Sequence, residues 1–249
     1  TKHNADGIEV DALQEGYEYC KGIVEKGYRL CVQPARVSQY SDDEFVSMVK
    51  QFSKLSPMAI YVVDSWGTEN AEGLLHYMHL ADENMPAEIA LGYHGHNNMM
   101  QALGVSQAML KENFSRDVII DASVYGIGRG AGNLNLEIIA KYLNEQYGKK
   151  YDLLCAEKVN SKYIQDIFRK EEWGYSELFF LTAKYNCNPN YARYIKKLGI
   201  DDYAEEILAY LPIEDKVIFS AERVDKAIYD IRKKEIGLAI VVPTCNRIE

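Results

Sequence analysis

The chain has 249 residues, and its 37 acidic against 28 basic side chains give a formal net charge of -9 and an isoelectric point near 5.2. This acidic balance, without a basic stripe, argues against a surface for nucleic acid or anionic membranes. The hydrophobic share of 47% and the charged share of 26% are typical of a globular protein with one large domain, or one domain and a satellite. No apolar run reaches the ~18–20 residues that cross a bilayer.

Five cysteines occur along the chain, which is an odd number, and no two of them have CxxC spacing. Neither a disulfide framework nor a thiolate metal site is indicated, so a reducing compartment is expected. The first residues, Thr1–Asn4, lack the basic start and the apolar core of a signal peptide. The sequence therefore predicts a cytoplasmic protein.

Four short apolar runs recur at intervals of about thirty residues, and each precedes a stretch with helical periodicity. The predicted strands are Tyr28–Gln33, Ala59–Val63, Ile89–Tyr93 and Asp117–Asp121. The predicted helices run over about Asp11–Lys26, Ser41–Lys54, Glu69–Ala81, Asn97–Glu112 and Leu134–Tyr147. Such repetition predicts an α/β fold in which helices cover parallel strands, as in a TIM barrel or a doubly wound sheet. Both architectures place their active sites where the strands end, and polar residues collect there in this chain.

After about Lys150 the alternation of strands and helices ends, and helical segments dominate. These segments are predicted at Ser161–Glu171, Ser176–Tyr185, Tyr191–Leu198, Asp202–Tyr210 and Ala221–Lys233. The sequence thus divides into a partial TIM-barrel domain over residues 1–150, a helical C-terminal extension over 151–235, and the start of a following domain over 236–249. That last piece is an apolar strand with a turn.

Two histidines, His94 and His96, follow the third predicted strand. Residues two apart in a strand face the same way, so both imidazoles would point into the barrel if the strand continues to His96. Imidazole is a common ligand of divalent metals, and the pair could therefore share one ion. The alternative is a pair of loop histidines that are merely hydrogen-bonded.

The segment Gly126–Asn133 holds four glycines in seven positions. Glycine permits positive φ and close backbone approach, so this loop could wrap an anionic ligand, with Gly130 and Gly132 as candidate substrate contacts. Dinucleotide binding and a tight structural turn are the alternatives.

Other polar residues are open to two interpretations. Asp64 and Ser65 could orient a ligand or support a metal site, whereas Asp64 could instead cap the helix region that follows. Asp121 is ambiguous in the same way. The segment Trp173–Tyr175 could close over the site or anchor the helical tail.

Taken together, the strand-end segments Val63–Gly67, Gly92–Asn98 and Gly126–Leu134 resemble the DRE-TIM metallolyase superfamily. Its members include hydroxymethylglutaryl-CoA lyase, isopropylmalate synthase and 4-hydroxy-2-oxovalerate aldolase. The resemblance covers roughly Gly27–Gly148 and extends more loosely to about Arg232. It rests on the order and spacing of three motifs rather than on any one of them.

The resemblance implies a divalent ion, Mg²⁺ or Mn²⁺ with Zn²⁺ as the alternative, held by His94, His96 and an aspartate on the first strand. In some members an asparagine equivalent to Asn133 is a further ligand. Ser65 matches a serine that contacts substrate in the aldolases. Tyr175 is similar in context to a tail tyrosine that assists proton transfer there.

The implied reaction is carbon–carbon cleavage or condensation of a small 2-oxo acid, such as a 4-hydroxy-2-oxo acid. Such an acid can chelate a hard ion that stabilises the resulting enolate. Two alternatives stay open. One is a Claisen-type acyl-CoA synthase of the same superfamily, and the other is a non-catalytic barrel module in a fused enzyme of glycan synthesis.

The sequence departs from the superfamily in two respects. The first-strand Asp-x-Thr-x-Arg-Asp-Gly segment is absent, and only four strand–helix units are visible where a barrel needs eight. We therefore expect an N-terminally incomplete fragment that binds metal weakly and catalyses little, and that belongs to a homo-oligomer or a larger fused polypeptide. Leu238–Arg247 resembles the opening strand of family-two glycosyltransferases, which suggests one such fusion.

Overall fold

The structure is a computed structural model that describes residues 13–235. Four parallel strands form one sheet in the order β1-β2-β3-β4. The strands are β1 (Cys31–Val32), β2 (Ala59–Asp64), β3 (Ala90–Gly95) and β4 (Val118–Ile120). The central pair is in register along its whole length, from Ala59 opposite Ala90 to Asp64 opposite Gly95. The ends of β2 and β3 consequently lie side by side.

Twelve α-helices are present in residues 13–235. Those of the sheet region are α1 (Leu13–Glu25), α2 (Asp42–Ser53), α3 (Ala71–Asn84), α4 (Ala102–Met109) and α5 (Leu136–Tyr147). Those of the helical tail are α6 (Leu153–Val159), α7 (Gln165–Phe168), α8 (Glu177–Lys184), α9 (Asn190–Leu198), α10 (Ala204–Tyr210), α11 (Ile213–Val217) and α12 (Ala221–Glu235). The prediction of parallel strands with alternating helices and a helical C-terminal part is confirmed.

The two faces of the sheet differ because side chains alternate along each strand. Ile60 and Val62 of β2, with Leu91 of β3, pack into the main core beneath the helices. Ala59, Tyr61 and Val63 form a separate, smaller cluster on the opposite face. This second face, formed by Ala59, Tyr61 and Val63, is next to the polar residues that follow the strands.

Helix α2 begins as the sequence predicts. The Ser41 hydroxyl accepts a hydrogen bond from the Glu44 N–H, and the Glu44 carboxylate accepts one from the Ser41 N–H, which completes a capping box. Helix α4 was predicted to begin near Asn97, and that prediction is wrong because the helix begins at Ala102. The Asn97 N–H bonds to the Gly132 carbonyl, so this part of the chain forms a loop contact instead.

The helical tail has a hydrophobic core of its own, which includes Leu181, Cys187, Tyr191 and Ile207. Two helices of the tail were not predicted, α6 and α11. The helix predicted over Ser161–Glu171 is present as the π-helical turn Asn160–Ile164 and α7. The division of the chain at residues 150 and 235 stays a prediction, and the segment likened to a glycosyltransferase lies outside the described residues. Within residues 13–235, no helix is both long enough and apolar enough to cross a bilayer.

Candidate metal centre

The imidazoles of His94 and His96 converge at the end of β3. Their Nε2 atoms are 3.3 Å apart, and their ring centroids are separated by 5.2 Å. Two nitrogens can have this separation when each lies about 2.1 Å from one shared ion. The same separation allows one ring to donate a hydrogen bond to the other when no ion is bound.

Asp121, just beyond β4, fixes the orientation of His94. Its Oδ2 atom lies 3.2 Å from His94 Nδ1 and 3.1 Å from Gln33 Nε2, while Oδ1 accepts a hydrogen bond from the Tyr61 hydroxyl at 3.1 Å. An aspartate that accepts a hydrogen bond from the Nδ1–H group leaves the lone pair on Nε2, which is the nitrogen facing His96. The ambiguity over Asp121 is thus resolved, since its carboxylate supports the histidine pair.

Tyr61 reaches Asp121 because Gly92 has no side chain. A Cβ at Gly92 would overlap the Tyr61 ring, which lies across the neighbouring strand. Burial raises the pKa of Tyr61, and the negative charge of Asp121 raises it further. The phenol therefore stays protonated and acts as a donor to the carboxylate.

Asn133 is brought to His96 by an isolated antiparallel bridge between the two residues. Its Nδ2 atom donates to the Ile127 carbonyl at 3.0 Å. Its Oδ1 atom is buried and has no hydrogen-bond partner. A buried amide oxygen without a donor is costly to leave unsatisfied, so this atom is a ready acceptor for a cation.

These donors fit a divalent ion as a partial ligand set. In residues 13–235, no group of three or more His, Cys, Asp or Glu side chains is arranged to hold a metal. The two imidazole nitrogens converge, whereas Asn133 is joined to His96 through the backbone bridge and lines the neighbouring cleft, not the one beside the histidines. The remaining ligands would come from water or substrate. Mixed nitrogen and oxygen donors suit Mg²⁺, Mn²⁺ or Zn²⁺.

The glycine-rich loop is largely a structural turn. Gly132 has a φ of 77°, and a Cβ there would overlap the Gly126 carbonyl oxygen and crowd the Trp173 ring. It does not line the cleft beside the histidines, whereas Gly130 does. Of the two candidate substrate contacts in this loop, only Gly130 is therefore placed to meet a ligand in that cleft.

Ser65 and Asp64 are adjacent in sequence but serve different purposes. Ser65 lines the cleft, and its Oγ atom accepts a hydrogen bond from the Arg36 N–H at 2.8 Å. Asp64 is only 3% exposed, and its carboxylate accepts hydrogen bonds from the Thr68 and Glu69 N–H groups. Asp64 thus binds the turn that precedes α3, whose N-cap is Asn70, and it does not line the cleft.

Tyr175 does not line the cleft that holds His94 and His96. Its side chain is 58% exposed and borders a separate cleft next to Asn133. The neighbouring Trp173 donates from Nε1 to the Tyr125 carbonyl at 2.9 Å, and its ring packs edge-on against Phe168. The segment therefore anchors the tail, and the proton-transfer role of Tyr175 stays a prediction.

The cleft beside the histidine pair has a volume of about 350 Å³. The sheet side contributes His94, His96 and Ser65, and the glycine-rich loop contributes Arg129 with Gly130. The helical tail closes the other side through residues at the start of α9. The site is thus assembled from both regions of the molecule.

Comparison with protein families gives a match over most of the chain. The model of the HMGL-like family matches residues 3–169. The chain belongs to the HMGL-like family. The recognition made from the strand-end motifs is thereby confirmed at the level of the family, while the likeness of the C-terminal residues to a glycosyltransferase has no support.

Named relatives of this HMGL-like chain are distant. It is 27% identical over 138 residues to a 4-hydroxy-2-oxovalerate aldolase from Marinomonas sp. (strain MWYL1), an alignment that covers 55% of this chain and 38% of that protein. The chain thus spans less than half of the length of that relative.

Two solved structures share the fold. The N-terminal domain of a Bacteroides vulgatus protein proposed to be an aldolase has a TM-score of 0.69 at 20% identity, covering 82% of this chain and 65% of that one. Hydroxymethylglutaryl-CoA lyase from Pseudomonas aeruginosa has a TM-score of 0.55 at 17% identity, covering 70% and 60%. The prediction of a TIM-barrel-like α/β fold is confirmed by these neighbours.

Several residues around the HMGL-like site were not singled out from the sequence. Gln33, just after β1, and Tyr61, in the neighbouring β2, both donate to Asp121, and the alternation of side chains along each strand could have placed them on its face of the sheet. Arg129 and Arg193 line the same cleft from segments far apart in the chain. No periodic signal connects those two arginines.

Proposed function

We propose that the protein is a divalent-metal-dependent carbon–carbon lyase or aldolase that acts on a 2-oxo acid. The observation that carries this proposal is the convergence of His94 Nε2 and His96 Nε2 at 3.3 Å, at a strand end of an HMGL-like chain. Relatives named as 4-hydroxy-2-oxovalerate aldolase support the same chemical class. A 4-hydroxy-2-oxo acid is accordingly the first substrate to test.

Each residue of the site has a distinct task in this proposal. His94 and His96 hold the ion, and the unpaired Oδ1 atom of Asn133 is the third protein donor. Asp121 keeps the proton of His94 on Nδ1, so that Nε2 stays available. When bound, Mg²⁺ or Mn²⁺ supplies Lewis acidity toward the carboxylate and keto oxygens of the 2-oxo acid.

Ser65 orients the substrate. Its hydroxyl oxygen is already an acceptor for the Arg36 N–H, and a hydroxyl that accepts one bond can still donate its own proton. That proton is directed to an oxygen of the 2-oxo acid in the cleft. The Gly130 backbone borders the same space and completes the binding surface.

The proposal is tested by titrating the protein with Mn²⁺ in calorimetry and comparing His94→Ala with wild type. Loss of a direct ligand should raise the dissociation constant more than about 100-fold, since supporting residues alone account for about 10–100-fold. His76→Ala is the matched control because His76 is exposed on α3 and pairs with Asp42 at 2.8 Å. Equal affinities of wild type and His94→Ala for Mn²⁺ would show that His94 does not bind the metal, and would contradict the proposed metal site.

Activity is measured separately as pyruvate release from 4-hydroxy-2-oxovalerate in the presence of Mn²⁺. Turnover that disappears in His94→Ala supports the lyase assignment. Metal binding without release of pyruvate, even when the first-strand Asp-x-Thr-x-Arg-Asp-Gly segment of a relative is fused to the chain, would favour the non-catalytic barrel module. We also propose that the ion is Mg²⁺ or Mn²⁺, that the protein forms a homo-oligomer and that it is located in the cytoplasm.

A further inference from the structure

A second cleft borders the glycine-rich loop, and neither histidine of the candidate metal centre lines it. Four aromatic side chains do, namely Tyr125, Phe168, Trp173 and Tyr175, and we refer to it as the aromatic cleft. Its volume of about 260 Å³ is slightly below the roughly 300 Å³ at which pockets for drug-sized ligands begin. The aromatic cleft therefore has room for one small group.

Three of the rings meet at steep angles instead of stacking. The Phe168 and Trp173 centroids are 4.9 Å apart with an interplanar angle of 83°. The Tyr125 centroid is 5.3 Å from that of Phe168 at 87°, and 6.2 Å from that of Trp173 at 75°. An edge-to-face contact covers one face of one ring and leaves other faces open. Since all three side chains are also partly exposed, one ligand in the cleft can contact more than one ring.

Hydrogen bonds hold these rings in place. Trp173 Nε1 donates to the Tyr125 carbonyl at 2.9 Å, and the Gly174 N–H donates to the Gly130 carbonyl at 3.3 Å. Tyr125 has a φ of 55°, which non-glycine residues rarely adopt, and its N–H donates to the Glu137 carboxylate at 3.0 Å. A ligand loses less affinity to the ordering of its site when the site is already formed.

The polar groups of the aromatic cleft are uncharged. None of the described residues that line it is Asp, Glu, Lys, Arg or His. Asn97 lines it, and because its Nδ2 atom already donates to the Asn133 carbonyl at 2.8 Å, its amide oxygen is left as an acceptor. Asn135 also lines it, and its side chain makes no capping bond to α5. The cleft thus combines ring faces, which are electrostatically negative, with amide groups that can accept hydrogen bonds.

Charge complementarity points to a cation as the ligand. An anion would meet no cationic side chain among the described lining residues and would face the negative sides of the rings. A cation is attracted by a ring when it lies within about 6 Å of the centroid, and Trp, Tyr and Phe all act in this way. The net charge of -9 also attracts cations to the protein surface. We propose that the aromatic cleft binds an organic cation of the alkylated ammonium class, at a site separate from the histidine pair.

The test compares two probes of the same shape, choline and 3,3-dimethylbutan-1-ol. They differ in one atom, since the alcohol has a carbon where choline has its positively charged nitrogen. Each is titrated into the full chain at constant ionic strength, and binding is followed by broadening of its methyl proton NMR signal. Choline should bind about three- to thirtyfold more tightly than the alcohol, the range for a cation over aromatic faces at a partly exposed to desolvated site.

Two variants test whether the rings are responsible for this preference. Phe168→Leu and Tyr175→Leu keep an apolar side chain but remove a ring, so each should reduce the preference for choline by about half or more while the affinity for the alcohol changes little. Tyr163→Leu is the matched control, because Tyr163 is 54% exposed, close to the 58% of Tyr175, and does not line the aromatic cleft. It should bind both probes as wild type does.

Two results would overturn the proposal. Equal affinities for choline and the alcohol would show that the positive charge contributes nothing to binding. A preference for choline that both ring variants retain would show that the acidic surface attracts the cation and that the cleft does not bind it. Thermal melting shows whether each variant is folded. If Phe168→Leu does not fold, Tyr175→Leu decides alone, since the exposed Tyr175 ring contributes little to the core.

Discussion

The sheet region and the helical tail contribute to one cleft in different ways. The sheet fixes His94 through a six-residue strand that is in register with β2 along its full length. The tail delivers Arg193 from a nine-residue helix packed on a core of short helices. The two imidazoles that lie 3.3 Å apart thus come from the rigid strand region, whereas the tail contributes a side chain that lines the other side of the cleft.

The same contrast appears in their ion pairs. In the sheet region, the Arg116 side chain is 2% exposed, pairs with Asp82 at 2.6 Å and also donates to backbone carbonyls between α3 and β3. In the tail, the Arg169–Asp166 pair is about two-thirds exposed on both sides. Loss of one partner of a buried ion pair strongly destabilises the fold, because the other charge is left buried without a partner. Exposed ion pairs contribute little to the free energy of unfolding. The sheet region should therefore be the part whose stability is sensitive to single charge changes.

The largest expected effect comes from Arg116→Met. Removal of the guanidinium leaves the Asp82 carboxylate, which is 14% exposed, without its cation and several carbonyls without a donor. Burial alone would raise the pKa of Asp82, but bonds from Arg116 and Ser115 outweigh it and hold that pKa below its usual range. We expect a loss of about 3–5 kcal/mol in urea denaturation. Arg169→Met in the tail should cost below about 1 kcal/mol, and equal losses would erase the contrast.

A second effect concerns pH and Asp64. Burial raises the pKa of Asp64 to about 6, against which the N–H groups of Thr68 and Glu69 act only in part. An acid whose pKa is raised by folding stabilises the protein below its unfolded pKa near 4, and this stability is lost as pH rises through 6. Between pH 4 and pH 7 the wild type should lose about 3 kcal/mol relative to Asp64→Asn.

Chemical denaturation at several pH values measures this difference. Asp166→Asn, which replaces an exposed carboxylate of the tail, should keep the pH profile of the wild type. A profile of Asp64→Asn that parallels the wild type from pH 4 to 7 would show that the buried carboxylate does not control stability in this range.

Sequence reasoning was most successful where one physical rule acts over a short distance. The alternation of side chains along a strand predicted that His94 and His96 face the same way, and their Nε2 atoms meet at 3.3 Å. The capping box at Ser41 and Glu44 is equally local. Such features need only neighbouring residues, so a single sequence contains them in full.

It was least successful where a side chain bonds to a distant segment. Asn97 is a residue type that is common at the start of a helix. Its Nδ2 atom nevertheless donates to the Asn133 carbonyl, 36 residues away. Trp173 bonds to the Tyr125 carbonyl, and this contact sets where Tyr175 lies. Arg193 reaches the cleft only because the tail folds back onto the sheet region. None of these contacts leaves a periodic signal in the sequence.

The smallest expected effect tests how strongly the sheet region orients its own histidines. Asp121→Asn keeps the size of the side chain but removes the charge that holds the proton on His94 Nδ1. The affinity for Mn²⁺ should fall about 10–100-fold, the range for a residue that supports a metal ligand. Tyr61→Phe removes one neutral donor to the same carboxylate and should cost less than Asp121→Asn. If Asp121→Asn bound Mn²⁺ as tightly as wild type, the register of β3 alone would suffice to orient the imidazoles, and the strands would need no help from side-chain hydrogen bonds.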